Sequence, residues 1–226
     1  TGTQLEVYYD AKDLTTMPST VTDLAGGDQN GAVTGATLDE TGGIESFNFD
    51  GSNDIIQGTF SGHTVSSGYT MATWIKPGTI GADDYIATFG VGNNGTSIGI
   101  NFETIGGAFR AFVWGSSSAP LVAKTSDNVV HKDQWVHVAA TFISSGGIIN
   151  LYINNKLAAT GSGTTLSSIS ASAPLVLGAR NSNGTIERHA NFKMANFRLY
   201  SKTLNADQIK ELYDYQKDYF LGSKSQ

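Results

Sequence analysis

Phe109-Arg110-Ala111-Phe112-Val113-Trp114 sets three aromatic rings and a guanidinium within six consecutive residues. In a strand, where successive side chains point to opposite faces, Arg110, Phe112 and Trp114 share one side, and Phe109, Ala111 and Val113 share the other. If the second set faces a core, the first is an aromatic and cationic strip on a sheet surface. Such a strip suits a pyranose, whose C–H face stacks on rings while planar amide, carboxylate or guanidinium groups bond its hydroxyls. The later stretch ARNSNGTIERH adds Arg180, Asn181, Asn183, Arg188 and His189, all with hydrogen-bonding side chains. These eight are the candidate ligand-binding residues. A second reading stays open, in which the large rings pack under crossing loops and the polar groups only meet solvent.

Catalysis asks for other groups. Glycoside hydrolysis needs two carboxylates converging at roughly 5–10 Å, which on a strand means an alternating run such as E-x-D-x-x-E. The chain has no such run, and Glu103, Asp83-Asp84, Asp39-Glu40 and Glu187 stand isolated in turn-like contexts as solvated loop carboxylates. His137, between Val136 and Val138, has no Ser or Cys nucleophile motif beside it, and His63, His131 and His189 lack metal spacing, so it reads as a structural histidine. Asp50-x-Ser52-x-Asp54 fails as an EF-hand, with Ile55 at the sixth position and Ser61 at the twelfth; Asp50 reads instead as accepting from its own following backbone. Asp23 and Asp28, flanking Gly26-Gly27, are the candidate calcium ligands, since oxygen donors in a Gly-rich loop suit a hard cation. Their alternative role is to stabilise turns.

The elements that must carry these residues are strands. With 27 glycines, 10% aromatic and 15% charged residues, the 226-residue composition suits many strands joined by tight turns. The absence of cysteine removes disulfides, thiolate metal sites and cysteine nucleophiles together. A net charge of −6 provides no general attraction for phosphate backbones, so nucleic acid is not an expected partner. No stretch approaches the roughly 18 apolar residues of a span, and the opening TGTQLEVYYD has neither a basic nor an apolar leader segment, so no membrane insertion is expected.

Alternation of apolar and polar residues predicts strands at 5–9, around Ala32-Val33, at 47–49, 55–56, 69–75, 85–89, 97–102, 108–114, 121–125, 134–142, 149–161, 175–180 and 197–200. Asn154-Asn155 splits 149–161 into a hairpin, because Asn tolerates positive φ. Asn94-Gly95-Thr96 and Asn183-Gly184-Thr185 serve as loop markers. Asn205 with Gln208 forms a capping-box pattern ahead of Ile209, Leu212 and Tyr213, which share a helix face. This short helix is expected on the sandwich rim, with one domain over residues 1–217 and a polar tail over 218–226 that leads into a larger protein.

Several segments resemble one family. Phe47, Phe49, Asp50, Gly51 and Asp54; Thr70, Trp74, Ile75, Lys76 and Pro77; Trp135, His137, Val138 and Ala139; Leu151, Tyr152, Ile153 and Lys156; Leu175, Leu177 and Gly178; and Arg198, Leu199, Tyr200 and Leu204 follow the order and spacing of laminin G-like domains in the concanavalin A-like lectin/glucanase superfamily. The resemblance implies an all-β fold: a two-sheet antiparallel β-sandwich, a jelly roll, with one short C-terminal helix. Relatives often carry a Gly and then a calcium-holding Asp where this chain has Phe192 and Ala195, and they often place calcium against the amino-terminal turn, where Asp23 and Asp28 lie. The resemblance implies a noncatalytic recognition or adhesion module, with glycans or surface proteins as partners. It would belong to a larger, multimeric, extracellular protein on a cell or virion surface; the tail YQKDYFLGSKSQ resembles the end of such modules in large surface and virion proteins. Two alternatives remain: a structural protein–protein module with no sugar site, and a polysaccharide lyase or glycoside hydrolase of the same superfamily.

Overall fold

A computed structural model describes residues 4–59, 68–81, 83–90, 97–103, 107–114, 120–126, 129–143, 146–163, 174–182 and 184–222. Strands β1 (Leu5–Tyr9), β2 (Thr20–Val21), β3 (Gly31–Thr34), β4 (Thr37–Asp39), β5 (Ser46–Asp50), β6 (Ile55–Thr59), β7 (Gly68–Pro77), β8 (Tyr85–Gly90) and β9 (Ser97–Glu103) make the first half. The second half holds β10 (Ala108–Trp114), β11 (Leu121–Lys124), β12 (Val136–Ile143), β13 (Ile148–Ile153), β14 (Lys156–Ser162), β15 (Pro174–Leu177), β16 (Arg180–Ser182), β17 (Thr185–Glu187) and β18 (Asn191–Tyr200), followed by the helix α1 (Ala206–Leu221).

Two antiparallel sheets result. The first runs β14-β13-β12-β7-β18-β5-β4 with β1 also on β18, the second runs β11-β10-β9-β8-β15-β6-β3-β2, and β16-β17 is a separate hairpin. The layers pack through one core, where Phe47, Phe49, Met71, Val138, Phe142 and Leu199 of the first sheet join Ile56, Phe89, Ile100, Phe109 and Leu175 of the second. Period-two patterning places these side chains inside, and each fully buried Leu or Phe adds about 1.5–3 kcal/mol. The expected turns form: Asn154 and Asn155 take φ 47° and 65°, and Asp50 Oδ1 accepts from the Ser52 N–H at 2.7 Å.

Strand β18 breaks the alternation once. Phe192 and Met194 point into the core, as do Phe197 and Leu199, so the inward parity changes from even to odd. Asn196, at φ 55°, is the extra residue, and the β18–β7 register shifts between Ala195 and Arg198. Such a bulge keeps both halves of a strand in phase with the core while re-aiming the side chain at the insertion. It lies where β18 changes neighbour on one edge, from β5 at Asn191–Met194 to β1 at Phe197–Tyr200.

The helix corrects two expectations. It does not sit on the rim. It crosses the outer face of the first sheet, where Ile209 packs with Ala72, Ala139 and Tyr152, and Phe220 packs with Ile44, Trp74 and Ala195. Small alanines in neighbouring strands leave the trough that a helix fills, which is why β7 is buried on both sides for most of its length. The capping box forms, with Gln208 N–H donating to Asn205 Oδ1 at 2.9 Å and Asn205 N–H to Gln208 Oε1 at 3.0 Å. The helix then runs to Leu221, beyond residue 217, because Ile209, Leu212, Tyr213, Gln216 and Phe220 continue one face through a polar-looking segment.

Candidate functional site

Phe109, Ala111 and Val113 all join the core, so Arg110, Phe112 and Trp114 lie on the outer face of the second sheet. Phe112 is nevertheless 1% exposed, and the expectation of an open ring platform there is corrected. Its ring lies over Gly99, where an added Cβ would come within 2.5 Å of Phe112 Cζ. Its other neighbour is Tyr85, in an edge-on contact at 5.4 Å. The missing side chain at Gly99 lets the ring lie down on the sheet instead of standing out from it. Trp114, partly exposed, stands four residues from Arg110, about 13 Å along the strand, and does not join the cluster described next. Its Nε1 is buried with no hydrogen-bond partner.

Three guanidinium groups gather around Tyr85, Phe112 and Asp83. Arg110 lies 5.9 Å from the Phe112 ring centroid, and Arg180 lies 5.4 Å from that of Tyr85, which are favourable cation–π placements. Arg180 Nη1 donates to the Tyr85 hydroxyl at 3.4 Å, and its Nη2 pairs with Glu187 Oε1 at 2.7 Å. Asp83 takes two arginines, Arg188 at 3.3 Å and Arg110 at 3.9 Å. The backbone positions them: Asp83 and Arg188 both adopt positive φ, 57° and 56°, and the Tyr85 N–H donates to Arg188 O at 3.1 Å. Asp84, next to Asp83, also lies within electrostatic reach of Arg188, so among the described residues three carboxylates, Asp83, Asp84 and Glu187, face the three cations.

The remaining candidates divide. Asn181 is buried and its Oδ1 accepts from the Gly184 N–H at 2.8 Å, so it closes its own hairpin. His189 is half-buried and bridges Tyr85 through the backbone, and Asn183 lies outside the described residues. Tyr85, Asp83 and Glu187 are participants that the sequence reading missed. By sequence the two acids read as solvated loop carboxylates, and the available signal is their place beside strand and hairpin ends near arginine-bearing segments.

Asp23 and Asp28 sit in different surroundings. Asp23 is buried, and its carboxylate accepts from the Tyr8 and Ala25 N–H groups, each at 2.9 Å, and from Gln29 N–H at 3.3 Å. Three amide hydrogens thus take most of the roughly four acceptor positions of this carboxylate. Asp28 is exposed at φ 57°, and among the described residues no group of three or more His, Asp or Glu side chains gathers to hold a metal. The bonds at Asp23 fit turn stabilisation, the alternative role for this residue.

Residues 50–210 match the laminin G pattern described as the concanavalin A-like lectin/glucanases superfamily. The adhesion G-protein coupled receptor V1 of Danio rerio is 26% identical over 157 residues, which is 66% of this chain and 2% of that receptor. Among solved structures, the binding domain of Paraclostridial Mosquitocidal Protein 1 superposes with a TM-score of 0.71 at 16% identity, over 93% of this chain and 52% of that one. The ligand binding domain of botulinum neurotoxin serotype D, in complex with N-acetylneuraminic acid, gives 0.70 at 16%, over 94% and 51%. The chain therefore spans about half the length of these solved chains and a small fraction of the receptor, and at these identities the structural likeness is one of fold.

Proposed function

Because this chain belongs to the concanavalin A-like lectin/glucanase superfamily, we propose that it is a noncatalytic binding module of a larger extracellular or surface protein, and that its Arg110–Arg180–Arg188 face takes an acidic glycan. One observation carries the reading: the Arg110, Arg180 and Arg188 guanidinium groups converge on the outer face of the second sheet, and the most exposed of them, Arg188, turns part of its donor set to solvent. Arg110 and Arg180 are held close to the sheet, with side chains 13% and 11% exposed, while that of Arg188 is 42% exposed. Arg110 and Arg180 are held by ion pairs and ring contacts, and Arg188 reaches the ligand. A guanidinium has five N–H donors, so Arg188 retains donors for a sugar carboxylate beyond the one on Asp83.

Tyr85 and Phe112 preorganise the arginines rather than stack on the sugar. The complex of a similarly folded domain with N-acetylneuraminic acid supports this class of ligand. A single shallow face of this kind predicts weak affinity, which several copies on one surface would multiply.

Isothermal titration with the methyl glycoside of N-acetylneuraminic acid tests the reading, with the methyl ester of the same sugar as the uncharged comparator. The acid is expected to bind at least about tenfold more tightly than the ester, and Arg188→Ala to abolish that difference. Equal affinity for both forms, or an acid preference that survives Arg188→Ala, overturns the assignment.

A further inference from the structure

Outside the first sheet a pocket of about 390 Å³ opens between β1, the β18 bulge and α1. Asn196 and Arg198, placed by that bulge, line it together with Tyr8 and Asp10 from the end of β1. The helix contributes Tyr215, Gln216 and Tyr219, and Lys12 and Glu45 complete the wall. We infer that this pocket is a second binding site, separate from the arginine face, that takes a neutral saccharide unit against Tyr215 and Tyr219.

The interior is built and held. Tyr8 Oη lies 2.6 Å from Asp10 Oδ2 and 2.8 Å from Asn196 Oδ1, and the Arg198 guanidinium stacks on the Tyr8 ring at 4.3 Å. Asn196 Oδ1 also accepts from Gln216 Nε2 at 2.7 Å and from Arg198 Nη2 at 3.3 Å. Gln216 Oε1 in turn accepts from the Trp74 indole at 3.1 Å. These bonds fix the amides and the guanidinium before any ligand arrives, which lowers the entropic cost of binding.

Charge and shape select the ligand class. Asp10 and Glu45 balance Lys12 and Arg198, and Arg198 is already engaged, so the pocket has no net charge with which to hold an ion. It offers acceptors, donors and amphipathic phenols side by side, the mixture that matches hydroxyls able to donate and accept. Burial, reinforced by the bond to Asp10, pushes the Tyr8 phenol above its ordinary range. Tyr8 therefore remains a proton donor and does not act as a base. The volume lies within the roughly 300–1,000 Å³ of small-molecule sites.

The rim carries the apolar part. Tyr215 is 87% exposed and Tyr219 is 45% exposed, one helical turn apart and therefore side by side. The Tyr219 hydroxyl accepts from the Glu45 N–H at 3.2 Å, which sets its ring at the pocket edge. Two exposed rings at the mouth of a hydrogen-bonding cavity supply the platform for a pyranose C–H face.

The test is NMR on protein with ring-labelled tyrosine, titrated separately with lactose, maltose, cellobiose and chitobiose, with glycine and acetate as ionic comparators. At least one disaccharide is expected to shift Tyr8, Tyr215 and Tyr219 while leaving Tyr85 in place. Tyr215→Ala, a change at an exposed ring that leaves the fold intact, is expected to weaken that binding about three- to tenfold. Arg188→Ala is expected to leave it unchanged, so that failure here and failure of the arginine face are told apart. No shift with any of the four sugars up to ~10 mM, shifts confined to Tyr85, or equal response to glycine or acetate overturns the inference.

Discussion

Phe220 lies flat on Trp74, with ring centroids 4.4 Å apart and planes 13° from parallel. This contact ties the last turn of the chain's helix to the central strand of the first sheet, and Tyr213 adds a second stacked ring at 5.5 Å. Phe220→Ala leaves a void that the stiff indole cannot fill. The expected cost is about 3 kcal/mol, read from urea denaturation, and a loss below about 1 kcal/mol would place the helix end outside the cooperative unit.

Next to Trp74, His137 is buried with Nδ1 lacking a hydrogen-bond partner. Burial, with a smaller contribution from the Arg198 charge, pushes its pKa down to about 3 from 6.5. The unfolded chain therefore binds a proton that the folded chain refuses, and stability falls as pH drops from about 6.5 toward 3. At pH 5 the loss is about 2 kcal/mol relative to pH 7. His137→Phe should flatten that part of the pH profile whatever its absolute stability, and an unchanged slope would assign the acid sensitivity to other groups.

Gly99 sits under the arginine face. An added Cβ would approach both Ala87 O and Phe112 Cζ to 2.5 Å, and the carbonyl cannot yield without bending β8. Gly99→Ala is expected to cost about 1–3 kcal/mol and, by lifting Phe112 against Tyr85, to weaken acidic-sugar binding as well. Thermal melts and the titration described above read both effects. Retained binding at reduced stability would separate the ring packing from the ligand site.

Asp23 satisfies three backbone N–H groups in the amino-terminal turn. Asp23→Ala strands those donors and should destabilise the protein by about 2–3 kcal/mol, equally in calcium and in chelator. A calcium-dependent rise in melting temperature that this substitution removes would restore a metal to the site.

Much of the scaffold is readable from alternation alone. The inward set Phe109, Ala111 and Val113, the Asn154-Asn155 turn and the Asn205–Gln208 capping box each depend on residues close in sequence. Even the β18 bulge leaves a trace, the parity change between Phe192-x-Met194 and Phe197-x-Leu199, although pattern reading passes over it because each half looks like an ordinary strand. The helix end was hidden in a similar way, since Phe220 is a lone apolar residue in DYQKDYFL whose partner, Trp74, lies far up the chain.

What the residues decide unaided is which side of each strand is apolar, because side chains alternate over a few bonds and no distant neighbour is needed. That suffices for two stacked sheets and for putting Arg110, Phe112 and Trp114 on an outer face. Tertiary structure alone decides what covers that face: Phe112 is buried, Asp83 meets Arg188 across a sequence separation of 105, and Tyr8 meets Asn196 across 188. Burial and ion pairing sum over neighbours brought together by strand order, so both binding surfaces exist only once the chain has closed.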